Sequence, residues 1–259
     1  MTRWEKPEEN QIGIVEVHGP VIASEAILRH LKAFREDETI KAVVVRIDSP
    51  GGGVGACQEI YQAIKRTAGQ KPVVASMGGV AASGGYYIAA AAPYIMANPG
   101  TITGSVGVIM GYTNVESLLE KIGVYPVVIK SGKYKDTGSP TRKLTAEERQ
   151  LLQGLSDDLH TQFIEDIASG RQMEVAKVKA MADGSVFSGK TARSYGLVDR
   201  LGNLNDAVNW AGEEAGLTGP LRMVYPREEP YERLLRFFDE TAEKVISNAN
   251  FSRLRPAYR

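Results

Sequence analysis

A chain of 259 residues, 43% apolar and 24% charged, has the length and make-up of one large α/β domain, alone or with an extension. Lysine plus arginine equals aspartate plus glutamate at 31 each, so no global field selects nucleic acid or acidic substrates. The single Cys57 excludes internal disulfides, and His18, His30 and His160 are too scattered to form a metal site, so no metal and no cofactor is expected. No run reaches the roughly 18–20 apolar residues that cross a bilayer. The polar start, Met1 to Asn10, does not read as a signal peptide, and the chain as given is expected to be soluble.

In chain order, Ile12 to Val17 reads as a strand closed by Gly19-Pro20, and a helix follows from Ser24 to about Phe34. Lys41 to Asp48 is a second strand, apolar throughout its middle as in a buried parallel sheet. Ser49-Pro50-Gly51-Gly52-Gly53 breaks it, a helix covers about 55–67, and Val73 to Ser76 is a third strand. This alternation predicts βαβ units with right-handed crossovers. Tyr94 to Ala97 and Tyr125 to Lys130 read as further strands. Thr145-Ala-Glu-Glu148 is a capping box opening a long helix with Leu151, Leu155, Leu159, Phe163, Ile164 and Ile167 at helical spacing. A short strand is expected over 221–225 and a last amphipathic helix at Leu234 to Ile246.

The run Gly78-Gly-Val-Ala-Ala-Ser83-Gly-Gly-Tyr-Tyr87 sets one hydroxyl among residues too small to cover it. Lying between a strand and a helix-like run, Ser83 belongs at a strand-to-helix turn, where the Gly84 N–H is free to face an anion. That arrangement suits a nucleophile beside its own oxyanion donor. Two more glycine-rich turns, 49–53 and 100–107, follow apolar runs, and such turns gather at the carboxyl edge of a parallel sheet.

A serine nucleophile needs a base. None of the three histidines is flanked by cleft-forming turn residues. Lysine is the other candidate: Lys130, Lys133 and Lys135 share a segment that begins as a strand and ends as a loop, and the residues alone do not choose among them. A lysine base must be desolvated or set among donors to work near neutrality.

Four motifs in order, Ser49-Pro-Gly-Gly-Gly53, Ala81-Ala-Ser-Gly-Gly-Tyr-Tyr87, Thr103-Gly-Ser-Val-Gly-Val108 and Lys130-Ser-Gly-x-x-Lys-Asp136, resemble the signal peptide peptidase A family. The likeness runs from about Gly13 to Ala207 and includes Phe187-Ser-Gly189 and Tyr195-Gly-Leu-Val-Asp199. It implies a Clp-protease/crotonase-like parallel sheet with βαβ crossovers, a peptidase domain over 11–218, and a C-terminal helical extension and tail over 219–259. It also implies a Ser/Lys dyad with Ser83 as nucleophile, Lys135 as base, Ser105 orienting the base, and the Gly52 and Gly84 amides as the oxyanion hole. Where the related Clp protease carries its catalytic histidine, this chain has apolar Val106, Val108 and Ile109, which agrees with a lysine base. The expected substrates are peptides, namely remnant signal peptides. Homo-oligomerisation, membrane association and a catalytic domain outside the cytoplasm are further implications of the family.

Three other readings were weighed. Gly51-Gly-Gly-Val-Gly-Ala56 fits a dinucleotide fingerprint, but no acid follows about 20 residues on. An acyl-CoA enzyme of the crotonase type would need positioned carboxylates, and the motif turns offer only Asp48 and Asp136. A non-catalytic assembly protein is the third.

Overall fold

The computed structural model describes residues 10–226, and the compact unit ending at Val224 holds every element that follows. These are β1 (Gln11–His18), α1 (Glu25–Glu36), β2 (Ile40–Ser49), α2 (Val54–Ala68), β3 (Val73–Ala82), α3 (Gly84–Ala89), β4 (Tyr94–Ala97) and β5 (Ile102–Gly104). They continue with α4 (Glu116–Lys121), α5 (Ala146–Arg171), α6 (Val175–Lys179), β6 (Val186–Ser188), α7 (Gly189–Tyr195), β7 (Arg200–Leu201), α8 (Leu204–Glu214) and β8 (Arg222–Val224). The helix expected at 234–246 lies outside the described residues.

The strands form one sheet in the order β6-β5-β3-β2-β1-β8, with β4 pairing β3 and β7. All pairs are parallel except β5 with β6. Alternate residues of the central strands enter two cores. Val15, Val17, Val43, Val45, Val73 and Ala75 pack toward α1, α2, α3 and α5, whereas Ile12, Ile14, Ala42, Val44 and Val74 pack toward α8. Burial on both faces explains why β2 reads as an unbroken apolar run. Each fully buried valine there contributes about 1.5–3 kcal/mol of transfer free energy.

Strand β3 is longer than its apolar run, continuing through the glycines to Ala82. Its first half pairs β4 and its second half pairs β5. The Asp48 carboxylate accepts from Val80 N–H at 3.0 Å, and a side chain at Gly78 would press on that carboxylate. The extension carries the chain to Ser83 at the sheet's edge.

The expected strand at Tyr125 to Lys130 is absent. Val124, Tyr125, Val127, Val128 and Ile129 are exposed and belong to no element. Strand propensity needs a neighbouring strand to pair with, and the described residues supply none beside the segment.

Candidate active site

Ser83 is the residue before α3, and its backbone is unusual: φ is 51° and ψ is −122°. A non-glycine residue held there is strained by roughly 1–3 kcal/mol, a cost typically met at functional turns. The turn is fixed from both sides. Ser83 N–H donates to the Gly104 carbonyl of β5 at 2.8 Å, and the Ser83 carbonyl accepts from Tyr87 N–H at 2.9 Å. The hydroxyl is thereby lifted off the end of β3 into a cavity of about 120 Å³.

The floor of that cavity is Ser83, Gly84 and Gly52. Gly51, at φ +97°, and Gly84 touch so closely that a Cβ on Gly84 would come within 2.6 Å of Cys57 Sγ and 3.1 Å of Gly52 N. A Cβ on Gly52 would overlap the Val21 carbonyl oxygen, which accepts from Gly53 N–H at 2.8 Å. Among the described residues, neither the Gly52 nor the Gly84 N–H has a protein acceptor. Two unclaimed amides therefore lie beside the serine hydroxyl, one of them at a helix start, ready to stabilise a developing oxyanion.

The walls are apolar. Val54, Val108, Ile109, Leu159 and Phe163 line the cavity, with Tyr87 and Cys57 at the back. Burial pushes the Cys57 thiol up to about 11, so it is neutral and serves as packing. Tyr87 stacks on Tyr61 and meets Phe163 edge-on at 5.0 Å, and its hydroxyl donates to the Asp166 carboxylate of α5. Helix α5 is thus moored over the cavity by its C-terminal half, while Leu151 and Leu155 stand exposed on its N-terminal half. The capping box of Thr145 and Glu148 is formed.

No histidine reaches the cavity. His18 is exposed and ion-paired with Glu16 at 3.4 Å, which raises its pKa above the usual value. His160 lies on α5 beside Leu159 but is not among the lining residues. Ser105, with φ 53°, is adjacent to the carbonyl that holds Ser83 N–H, and its own N–H donates to Ser185 at 2.7 Å.

The three lysines of the segment differ in their ion pairs. Lys130 is ion-paired with Asp136. Lys133 pairs with Glu147 at 2.8 Å, which raises its pKa. Lys135 is exposed and has no ion-pair partner among the described residues. It does not line the cavity of its own chain. Two residues on, Thr137 donates to Glu148 at 3.2 Å. From Glu148 to Leu159, where α5 walls the cavity, is eleven residues, or about 16 Å of helix. Ser83, Gly52 and Gly84 are brought together, and Lys135 stands apart.

A hydroxyl raised on a strained turn beside two open amides is equipment for acyl transfer, and the resemblances to known proteins agree. The peptidase family S49 model matches residues 65–218, and the Clp protease model matches 10–101. A protease-named protein of Synechocystis sp. is 50% identical over 209 residues, covering 80% of this chain and 75% of that protein. The chloroplastic serine protease SPPA of Arabidopsis thaliana is 39% identical, covering 79% of this chain and 30% of its own length. Protease 4 of Salmonella typhi is 38% identical, covering 81% and 34% respectively. In fold, the chain is similar to a membrane-bound stomatin-specific protease, with a TM-score of 0.57 at 15% identity, covering 85% of this chain and 99% of that one. The chain belongs to peptidase family S49 and is a serine peptidase of the signal peptide peptidase A type. It spans only about a third of the Arabidopsis and Salmonella relatives. Among the described residues no helix is long and apolar enough to cross a membrane.

Proposed function

We propose that the chain is a Ser/Lys endopeptidase in which Ser83 is the nucleophile and Lys135, delivered by a second copy of the chain, is the base. The observation that carries this reading is the division of the site. The nucleophile and the two amides share one cavity, while the one unpaired lysine of its segment stands exposed and outside it. The exposed run Val124 to Ile129 beside that lysine is the surface another copy would cover. Covering it would also dry the amine, as a neutral base requires.

In the reaction, Ser83 Oγ bonds to the peptide carbonyl carbon as its proton passes to the Lys135 amine. The Gly52 and Gly84 N–H groups hold the oxyanion. As the C–N bond breaks, the Lys135 ammonium protonates the leaving amine. Water then attacks the acyl-serine, giving one proton to Lys135, and the Ser83 hydroxyl is restored. The Ser105 hydroxyl, one residue beyond the strand that anchors Ser83, would orient the incoming amine. The apolar walls suit small or apolar side chains in an extended peptide, as in remnant signal peptides. Such a substrate would place the assembly at a membrane surface.

Mass spectrometry of a signal-peptide mixture incubated with wild type and with Ser83→Ala tests this. Cleavage after small or apolar residues by wild type alone is expected. Equal cleavage by folded Ser83→Ala would overturn the assignment.

A further inference from the structure

The lysine taken as the base is followed directly by a carboxylate, and an unshielded carboxylate beside an amine favours its charged, unreactive form. In this chain Asp136 is occupied elsewhere. Arg142 Nε donates to Asp136 Oδ2 at 2.9 Å and Nη2 donates to Oδ1 at 2.9 Å, a two-pronged grip. Lys130 holds the same carboxylate. Arg142 is itself fixed by Glu148, through Nη1 at 2.8 Å and Nη2 at 2.5 Å. Glu148 is 3% exposed, caps the Thr145 N–H at 3.0 Å and accepts from Thr137. Arg142 Nη2 also donates to the Asp136 carbonyl at 3.2 Å, so backbone and side chain are gripped together. The remaining charges of the cluster are accounted for: Glu147 takes Lys133, and the Lys133 ammonium lies over the Tyr134 ring. Of Lys130, Lys133 and Lys135, only Lys135 has no ion-pair partner among the described residues.

We propose that Arg142 is a positioning residue of the reaction: seated on buried Glu148, it anchors the Lys135 loop to the first turn of α5 and keeps the Asp136 carboxylate from pairing with the Lys135 amine. The chemistry favours arginine for this task, because a planar fork can serve two carboxylates and a backbone carbonyl at once, which an ammonium cannot. The arginine and its paired carboxylates hold each other's charged forms. Arg142 and Lys130 keep Asp136 well below the usual carboxylate range, and Arg142 with the Thr145 amide draws Glu148 down to about 2. The grip therefore persists through the whole pH range in which a peptidase works.

The inference rests on the Ser/Lys reading, and the test keeps the two apart. The pH dependence of kcat/KM for peptide cleavage is measured for wild type, Lys135→Ala, Arg142→Gln, Arg142→Lys and the pair Arg142→Gln with Asp136→Asn. Arg142→Gln is expected to move the acid limb of the profile up by about one pH unit or more, with activity regained in alkali. Adding Asp136→Asn is expected to return the limb to the wild-type position. Lower activity at every pH with an unmoved limb, or a limb the second substitution leaves displaced, overturns the positioning role. Should Arg142→Gln not fold, Arg142→Lys decides: its limb holds while kcat falls at least tenfold, and an unchanged kcat refutes the proposal. A folded, active Lys135→Ala would refute the dyad and this role together. An inactive Lys135→Ala with an unmoved Arg142→Gln limb removes the positioning role alone.

Discussion

If Lys135 acts on the serine of another copy, two dead variants should revive each other. Ser83→Ala removes the nucleophile but keeps the amine, and Lys135→Ala does the reverse. In mixed assemblies formed from equal amounts, half of the cavities hold a serine and half of the lysines are intact. Random placement then completes about a quarter of the sites in a large ring and about half of them in a dimer, so doubly tagged assemblies should show roughly a quarter to a half of the wild-type rate. If each lysine served its own chain, no site in the mixture would be complete and the rate would be that of the single variants. The variants would carry different affinity tags and be co-expressed, and doubly tagged assemblies would be isolated and assayed on a fluorogenic peptide. Native mass spectrometry would verify that both variants are present. Mixed assemblies as inactive as either parent would refute delivery from a second copy. The structural basis is that Lys135 does not line the cavity of its own chain and that its loop is tied to Glu148, about 16 Å of helix before Leu159.

Two further outcomes are expected. Gly52→Ala should lower kcat by about 10²–10³, the usual effect of losing one oxyanion donor, because its Cβ would displace the turn from Val21. An enzyme with Gly52→Ala that melts near wild type and keeps full kcat would exclude that amide from catalysis. Glu148 is an acid whose folded pKa, about 2, lies below the ordinary glutamate value of 4.5. Its stabilising effect is therefore present above pH 4.5 and is lost as pH falls toward 2. The difference in melting temperature between wild type and Glu148→Gln should shrink across that interval, and a constant difference would contradict the assignment.

The sheet and the Ser83 turn were legible because their signals are local. Apolar runs broken by glycine place β1, β2 and β3, and small residues on both sides of Ser83 announce an uncovered hydroxyl. The capping box at Thr145 was equally readable, since four residues carry the whole motif. What the residues alone did not supply was partnership. Tyr125 to Lys130 has a strand's composition and no strand to join. Strands β5 and β6, three residues each, are too short for a period; β5 exists because β3 offers it an edge, and β6 because β5 does. Which of Lys130, Lys133 and Lys135 are ion-paired depends on the carboxylates that lie nearby in space, and the grip of Arg142 on joining residues 136, 142 and 148 through side chains that follow no helical or strand period. The positive φ of Ser83 is likewise set by β5 holding its amide, a contact across 21 residues of chain.

Helix α5, 26 residues long, is a rigid rod of about 39 Å, engaged at its middle and at its start. From its middle, Leu159 and Phe163 press on the chamber that holds Ser83, and in its first turn Glu148 grips the segment bearing Lys135. If Lys135 serves a second copy, as proposed, a guest pressing on the rod at Leu159 would tilt the tip that carries the neighbour's amine, and filling one centre would alter the readiness of the next.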